Sequence, residues 1–144
     1  MQIKFKKLTN TAKTPTRATN GSAGYDLYVD ADKPIIINPH KTARLTTGIA
    51  MEIPQGYFGA VYSRSGIATK RNLRLPNCVG VIDSDYRGNI GVSLINDSDI
   101  QQQIDAYERI AQIVIQPHLD VEFIEDSLSD TERGTGGYGS TGKA

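Results

Sequence analysis

Apolar residues reach this chain in short alternating or continuous runs, each closed by a turn signal, and that punctuation limits the fold more than any other feature. Ile3 and Phe5 alternate with Gln2, Lys4 and Lys6, the period-two mark of a half-buried strand. Further β-runs are expected at 25–29, 35–37, 45–53, 57–62, 78–82, 90–95, 110–115 and 121–124. Asn38-Pro39, Pro54-Gln55-Gly56, Pro76-Asn77, Asn96-Asp97 and Pro117 separate them. Such spacing predicts an all-β sandwich or barrel and excludes βαβ units. One helix is expected, one or two turns over 65–71, with Ser65 as its cap.

At 144 residues one domain is expected. Lys plus Arg and Asp plus Glu each total 16, so no overall field draws nucleic acid or an anionic membrane, and neither is expected as a partner. The N-terminus lacks an apolar signal run, and no stretch approaches the roughly 20 residues that span a bilayer. With a single cysteine, Cys78, a cytoplasmic or other reducing, soluble compartment is expected. Residues 127–144 carry almost no apolar side chains and contain "RGTGGYGSTG", a composition that stays mobile until something binds it. A body at 1–126 and a flexible glycine-rich arm at 127–144 are the expected division.

The arm mimics two nucleotide motifs and satisfies neither. Gly134, Gly136 and Gly139 fit G-x-G-x-x-G without the required strand and helix, and Ala144 follows Lys143 where a P-loop needs Ser or Thr. Arg133, Ser140 and Thr141 still offer phosphate donors, and Tyr138 is an aromatic that a purely solubilising tail does not need. "YSRSGIATK" at 62–70 brings Arg64, Ser65 and the Gly66 amide to a helix start, which is an anion site or an ordinary capped turn. "ERIAQIVI" at 108–115 places Ile110 and Gln112 on one strand face, with Glu108 and Arg109 at its mouth as a site or a solvated pair. In "GVIDSDYRGNIGV" at 80–92, apolar runs flank Asp83, Asp85 and Arg87, so a β-hairpin is expected. If its strand continues, those three side chains share one side, and the same residues also make a plain turn. His40 and His118 lack metal-ligand spacing, and no nucleophile elbow is present.

Taken in order, "AGYDLY" at 23–28, "SRSGIA" at 63–68, "NCVGVIDSDYRGNIGV" at 77–92, "ERIAQIVI" and "RGTGGYGSTG" resemble the five motifs of the trimeric dUTPase family. The resemblance implies a homotrimer of jelly-roll-like β subunits with C-terminal arm exchange and sites between subunits. It implies magnesium-dependent hydrolysis of dUTP to dUMP and pyrophosphate, which keeps uracil out of DNA and supplies dUMP for thymidylate synthesis. Asp83 is then the base that activates the attacking water. Asn77, Gly80, Val81 and Ile82 resemble the uracil pocket, and Tyr86 the platform under deoxyribose. Arg64, Ser65, Gly66 and Gln112 match phosphate contacts, while Asp26 matches an aspartate acting near Mg2+ through water. Arg133, Tyr138, Gly139, Ser140 and Thr141 match the arm that closes over nucleotide bound at other subunits.

Two positions depart from the family pattern. Ser63 stands where proline is frequent, which is expected to loosen a turn, and Tyr138 where phenylalanine is usual. For the chemistry, Arg87 is expected to approach Asp83 and help keep it ionised. A dCTP deaminase or bifunctional relative on the same fold needs a glutamate at the base, and none is evident on the hairpin. A non-catalytic nucleotide-binding trimeric switch is the other alternative.

Overall fold

The computed structural model describes residues 1–137. Its strands are β1 (Lys4–Lys7), β2 (Tyr25–Tyr28), β3 (Ile35–Ile37), β4 (Thr42–Thr46), β5 (Ile49–Glu52) and β6 (Tyr57–Tyr62). After helix α1 (Ser65–Arg71), the one helix among the described residues, come β7 (Leu73–Arg74), β8 (Gly80–Ile82), β9 (Gly91–Asn96), β10 (Gln102–Ile104) and β11 (Arg109–Pro117). All pairings between these strands are antiparallel: one sheet runs β2-β11-β6-β8, a second β4-β9-β7, and two ribbons join β1 to β5 and β3 to β10. The all-β expectation with one short helix holds. Among the described residues no helix is long and apolar enough to cross a membrane.

Inward positions of these strands make one core. On β9 the alternation is regular, with Val92, Leu94 and Asn96 buried between more exposed neighbours. They meet Leu27 and Val29 near β2, Ile49 and Met51 from β5, Val61 from β6, and Ile110, Ala111 and Ile113 from β11. Helix α1 contributes Ile67. Its N-cap is Arg64 in an extended conformation, with no side-chain cap, so Ser65 begins the helix instead of capping it. Asn72 closes it in the left-handed region at φ 53°.

Four expectations are corrected. The run 45–53 breaks at Thr47-Gly48, where Gly48 has φ 64° and a Cβ would lie 2.5 Å from Asp30 Oδ2. Only glycine fits that turn, which sends β4 to β9 and β5 to β1. The hairpin expected from 78–95 does not form: β8 pairs with β6, whereas β9 pairs with β4 and β7. The strand stops at Ile82, and a turn follows in which the Tyr86 amide donates to the Asp83 carbonyl at 3.2 Å, so Asp83, Asp85 and Arg87 do not share a strand face. The run 121–124 forms no strand, because among the described residues no strand pairs with it; Val121, Phe123 and Ile124 are exposed.

Asn96 is a buried polar residue whose hydrogen-bonding capacity is filled. Its Nδ2 donates to the carbonyls of Ile37 at 3.0 Å and Ile100 at 2.7 Å, and its Oδ1 accepts from the Ser98 amide at 3.0 Å and hydroxyl at 2.7 Å. One side chain thus joins β3, β9 and the 97–101 loop. Asn96→Leu leaves those carbonyls and the Ser98 donors unpaired, and urea denaturation is expected to show a loss of about 2–4 kcal/mol.

Candidate active site

Asp26 organises the first half of the site. β2 carries it, β11 lies beside β2, and β6 lies beside β11, so the loop leaving β6 and the start of β11 both reach its carboxylate. Arg64 Nε donates to Oδ1 at 2.8 Å and Arg109 donates to Oδ2 at 3.1 Å. Asp26 is 9% exposed, so this carboxylate stays buried only because both oxygens are paired. Asp26, Arg64, Ser65, Gly66 and Gln112 line a cavity of 180 Å³ together with Ser22 and Gly24. A Cβ on Gly24 would collide with the Gln112 amide, so glycine there is what admits that side chain. Gln112 Nε2 in turn donates to the Ser63 carbonyl at 3.1 Å.

β11 differs from its expected pattern. A register shift between Arg109 and Ala111 puts both Ile110 and Ala111 in the core, so Ile110 does not share a face with Gln112. Glu108 and Arg109 are no solvated pair either: Glu108 accepts from Arg71 at 2.5 Å, while Arg109 goes to Asp26. Arg109 is the site residue that sequence reasoning undervalued, because its partner is 83 positions away and no local signal joins them.

The second half lies where the two sheets part. Asn77, Gly80, Val81 and Ile82 line a narrow cleft of 80 Å³ with Leu75, Gly91, Val92 and Ser93. β8 ends its sheet, so the edge away from β6 keeps unpaired backbone donors and acceptors. A Cβ on Gly80 would lie 3.3 Å from Val61 Cβ, so glycine relieves crowding against β6, and the Asn77 amide lies in ordinary contact range of the same position at 3.5 Å. An adjoining cavity of 350 Å³ is bounded by Asn77, Val81, Ile82, Tyr86 and, beyond the residues expected, Arg44, Asn89 and Ser93.

Tyr86 is folded back on its own turn. Its ring occupies the space a side chain at Gly88 would need, and its hydroxyl donates to the Asn89 carbonyl at 3.0 Å. Asn89 Nδ2 donates to Thr46 Oγ1, which anchors that turn to β4. Arg87 does not reach Asp83; it donates to the carbonyls of Ser84 at 2.6 Å and Tyr86 at 3.1 Å. Asp83 is exposed at the end of β8, and among the described residues no group donates to its carboxylate. Arg133 is exposed, and Tyr138, Gly139, Ser140 and Thr141 lie outside the described residues.

The two halves are a polar cavity lined by Arg64, Asp26, Ser65, Gly66 and Gln112, and a narrow cleft along the β8 edge with the exposed Asp83 at its end. The family model described as dUTPase matches residues 10–142. A deoxyuridine 5'-triphosphate nucleotidohydrolase from Nautilia profundicola is 48% identical over 144 residues, covering 99% of this chain and all of the relative. The dUTPase of Staphylococcus bacteriophage 80alpha, solved with dUPNHPP, superposes with a TM-score of 0.85 at 30% identity and 99% coverage of both chains. A mutant dUTPase from phage phi11 of S. aureus, described with a structural Mg(II) ion, superposes with a TM-score of 0.81 at 25% identity, covering 91% of this chain and 100% of that one. The chain belongs to the dUTPase family.

Proposed function

We propose that this chain hydrolyses dUTP to dUMP and pyrophosphate, with Asp83 activating the attacking water. The observation that carries the reading is the free edge of β8: the backbone groups of this three-residue strand that point away from β6 have no strand partner, Asn77 lines the cleft beside them, and the strand leads directly to Asp83. Uracil and cytosine exchange a donor and an acceptor on the pairing edge. Fixed backbone groups therefore satisfy one base and leave buried groups unpaired with the other, at about 1–3 kcal/mol each. Tyr86, held over Gly88, forms a rigid floor for deoxyribose that leaves no room for a 2′-hydroxyl. Among the described residues no glutamate lines the cleft or the cavity beside it, which favours the hydrolase over a deaminase.

Arg64, Ser65, Gly66 and Gln112 bind the phosphates. A Cβ at Gly66 meets nothing of the chain within 4 Å, so its glycine is not required by internal packing and leaves the backbone open to close approach. Phosphoryl transfer leaves the protein chiefly alignment and charge neutralisation, which these groups suit. Asp26 is a lone carboxylate with both oxygens engaged, and among the described residues no group of three or more His, Cys, Asp or Glu could hold a metal. That donor set fits Mg2+ carried on the triphosphate, with Asp26 acting through water, and the ion would supply charge neutralisation.

The assembly is a homotrimer with exchanged C-terminal arms. Leu119, Val121, Phe123, Ile124 and Leu128 are 67–95% exposed on a segment with no strand partner among the described residues, and neighbouring copies would cover them. Residues 127–144 form the arm, and Arg133, Tyr138, Gly139, Ser140 and Thr141 close over nucleotide bound at other subunits, excluding water.

A pyrophosphate-release panel with Mg2+ tests the activity: dUTP is expected to turn over at least about 100-fold more efficiently than dCTP, dTTP or UTP, and ammonia release from dCTP would identify a deaminase instead. Asp83→Asn is expected to bind dUTP while slowing pyrophosphate release about 10²–10⁴-fold, the usual worth of a general base; unaltered turnover removes Asp83 from that role. Deleting residues 133–144 is expected to cut kcat/KM by about 100-fold or more, and full activity without them would end the closure model.

A further inference from the structure

We infer that Ser63 is a positioning residue that sets the phosphate loop, β11 and the wall of the base cleft at fixed spacing, an inference that rests on the reading of the site above. Ser63 lies between the end of β6 and Arg64, and both of its oxygens are used. Its hydroxyl oxygen accepts from the Leu75 amide at 3.0 Å, and its carbonyl accepts from Gln112 Nε2 at 3.1 Å. The next residue, Arg64, is fixed on Asp26 at 2.8 Å. Two consecutive residues therefore tie together β2, β11 and the segment that leads from Leu75 into Asn77.

The Leu75 bond matters because of where it lies. Leu75 is 2% exposed and lines the base cleft, so its amide is cut off from bulk water and takes its partner from the chain. That partner is the Ser63 hydroxyl, 12 residues earlier. Proline, frequent at this position in the family, has no hydroxyl and would supply only a fixed φ. Serine thus does not loosen the turn, as the sequence alone implies. It exchanges the stiffness of a ring for a bond across the site, from the phosphate side to the base side.

Ser63 lines neither the phosphate cavity nor the base cleft, so it acts through Gln112, Arg64 and the Leu75–Asn77 segment. Loss of its hydroxyl weakens ground state and transition state alike, which appears in KM rather than kcat. The test is dUTP hydrolysis with Mg2+ by the full chain as wild type, Ser63→Ala and Ser63→Thr, with folded fraction measured by circular dichroism. Ser63→Ala is expected to raise KM about 5- to 20-fold with kcat within about twofold, and Ser63→Thr, which keeps the hydroxyl, to restore KM to within about threefold of wild type. An unchanged KM in Ser63→Ala, an equal defect in both variants, or a loss that only follows the folded fraction would overturn the proposal. If wild type itself releases no pyrophosphate from dUTP, the reading of the site fails, and hydrogen exchange at the Leu75 amide tests the tie alone. Exchange at least about tenfold faster in Ser63→Ala supports it, and unchanged exchange overturns it.

Discussion

The buried carboxylate of Asp26 between two arginines is the interaction on which the proposed phosphate side depends. Arg64 and Arg109 each take one of its oxygens, and they come from segments that meet only because β2, β11 and β6 are consecutive in one sheet. Exposed ion pairs are worth little, but Asp26 is 12% exposed at its side chain and Arg64 27%, so removing one partner would strand a charge in a poorly solvated place. The triad therefore specifies geometry. It holds Arg64 at the cavity mouth, and the same stretch of β11 presents Gln112 over the gap left by Gly24.

The base side rests on a different constraint, the separation of two sheets. Edge strands are usually protected because their unpaired backbone invites other strands. β8 is only three residues long, ends in a turn, and is faced across a narrow gap by β9 of the other sheet. Its free groups are thus too few to template a further strand. A small planar ligand with alternating donors and acceptors is the partner that such an edge suits, and the proposed uracil reading follows from that shape.

Much of this was legible from local pattern. Among the described residues, 65–71 form the only helix, and the short apolar runs around 25–28, 35–37, 57–62 and 91–96 all became strands, because each signal is contained within a few neighbouring residues. What failed to show is long-range. A run continuous from Leu45 to Ile53 hides the break at Gly48, since the obstacle is Asp30, far back in the chain. The stretch around Asp83 reads as a hairpin because two apolar runs flank a turn, and only the competing partners β6 and β4 draw the runs into separate sheets. β7 and β10, two and three residues long, are defined by their neighbours and carry too little pattern of their own. The Asp26 triad and the Ser63 tie have the same character: the chemistry of each residue is visible in the sequence, but its partner is not.

The failure at 121–124 has a further meaning. Alternation there is as good as in β-runs that did form strands, so the strand propensity is present and what is missing is a neighbour. A segment that keeps Val121, Phe123 and Ile124 facing water gains nothing within its own chain, and pairing with another copy would bury them. Among the described residues none lines both the proposed phosphate cavity and the proposed base cleft. In the proposed trimer these facts share one cause: the chain is built to complete both its sheet and its site with residues of its neighbours. In that trimer, assembly would precede catalysis, and the two halves of the proposed machinery on one chain would serve different nucleotides.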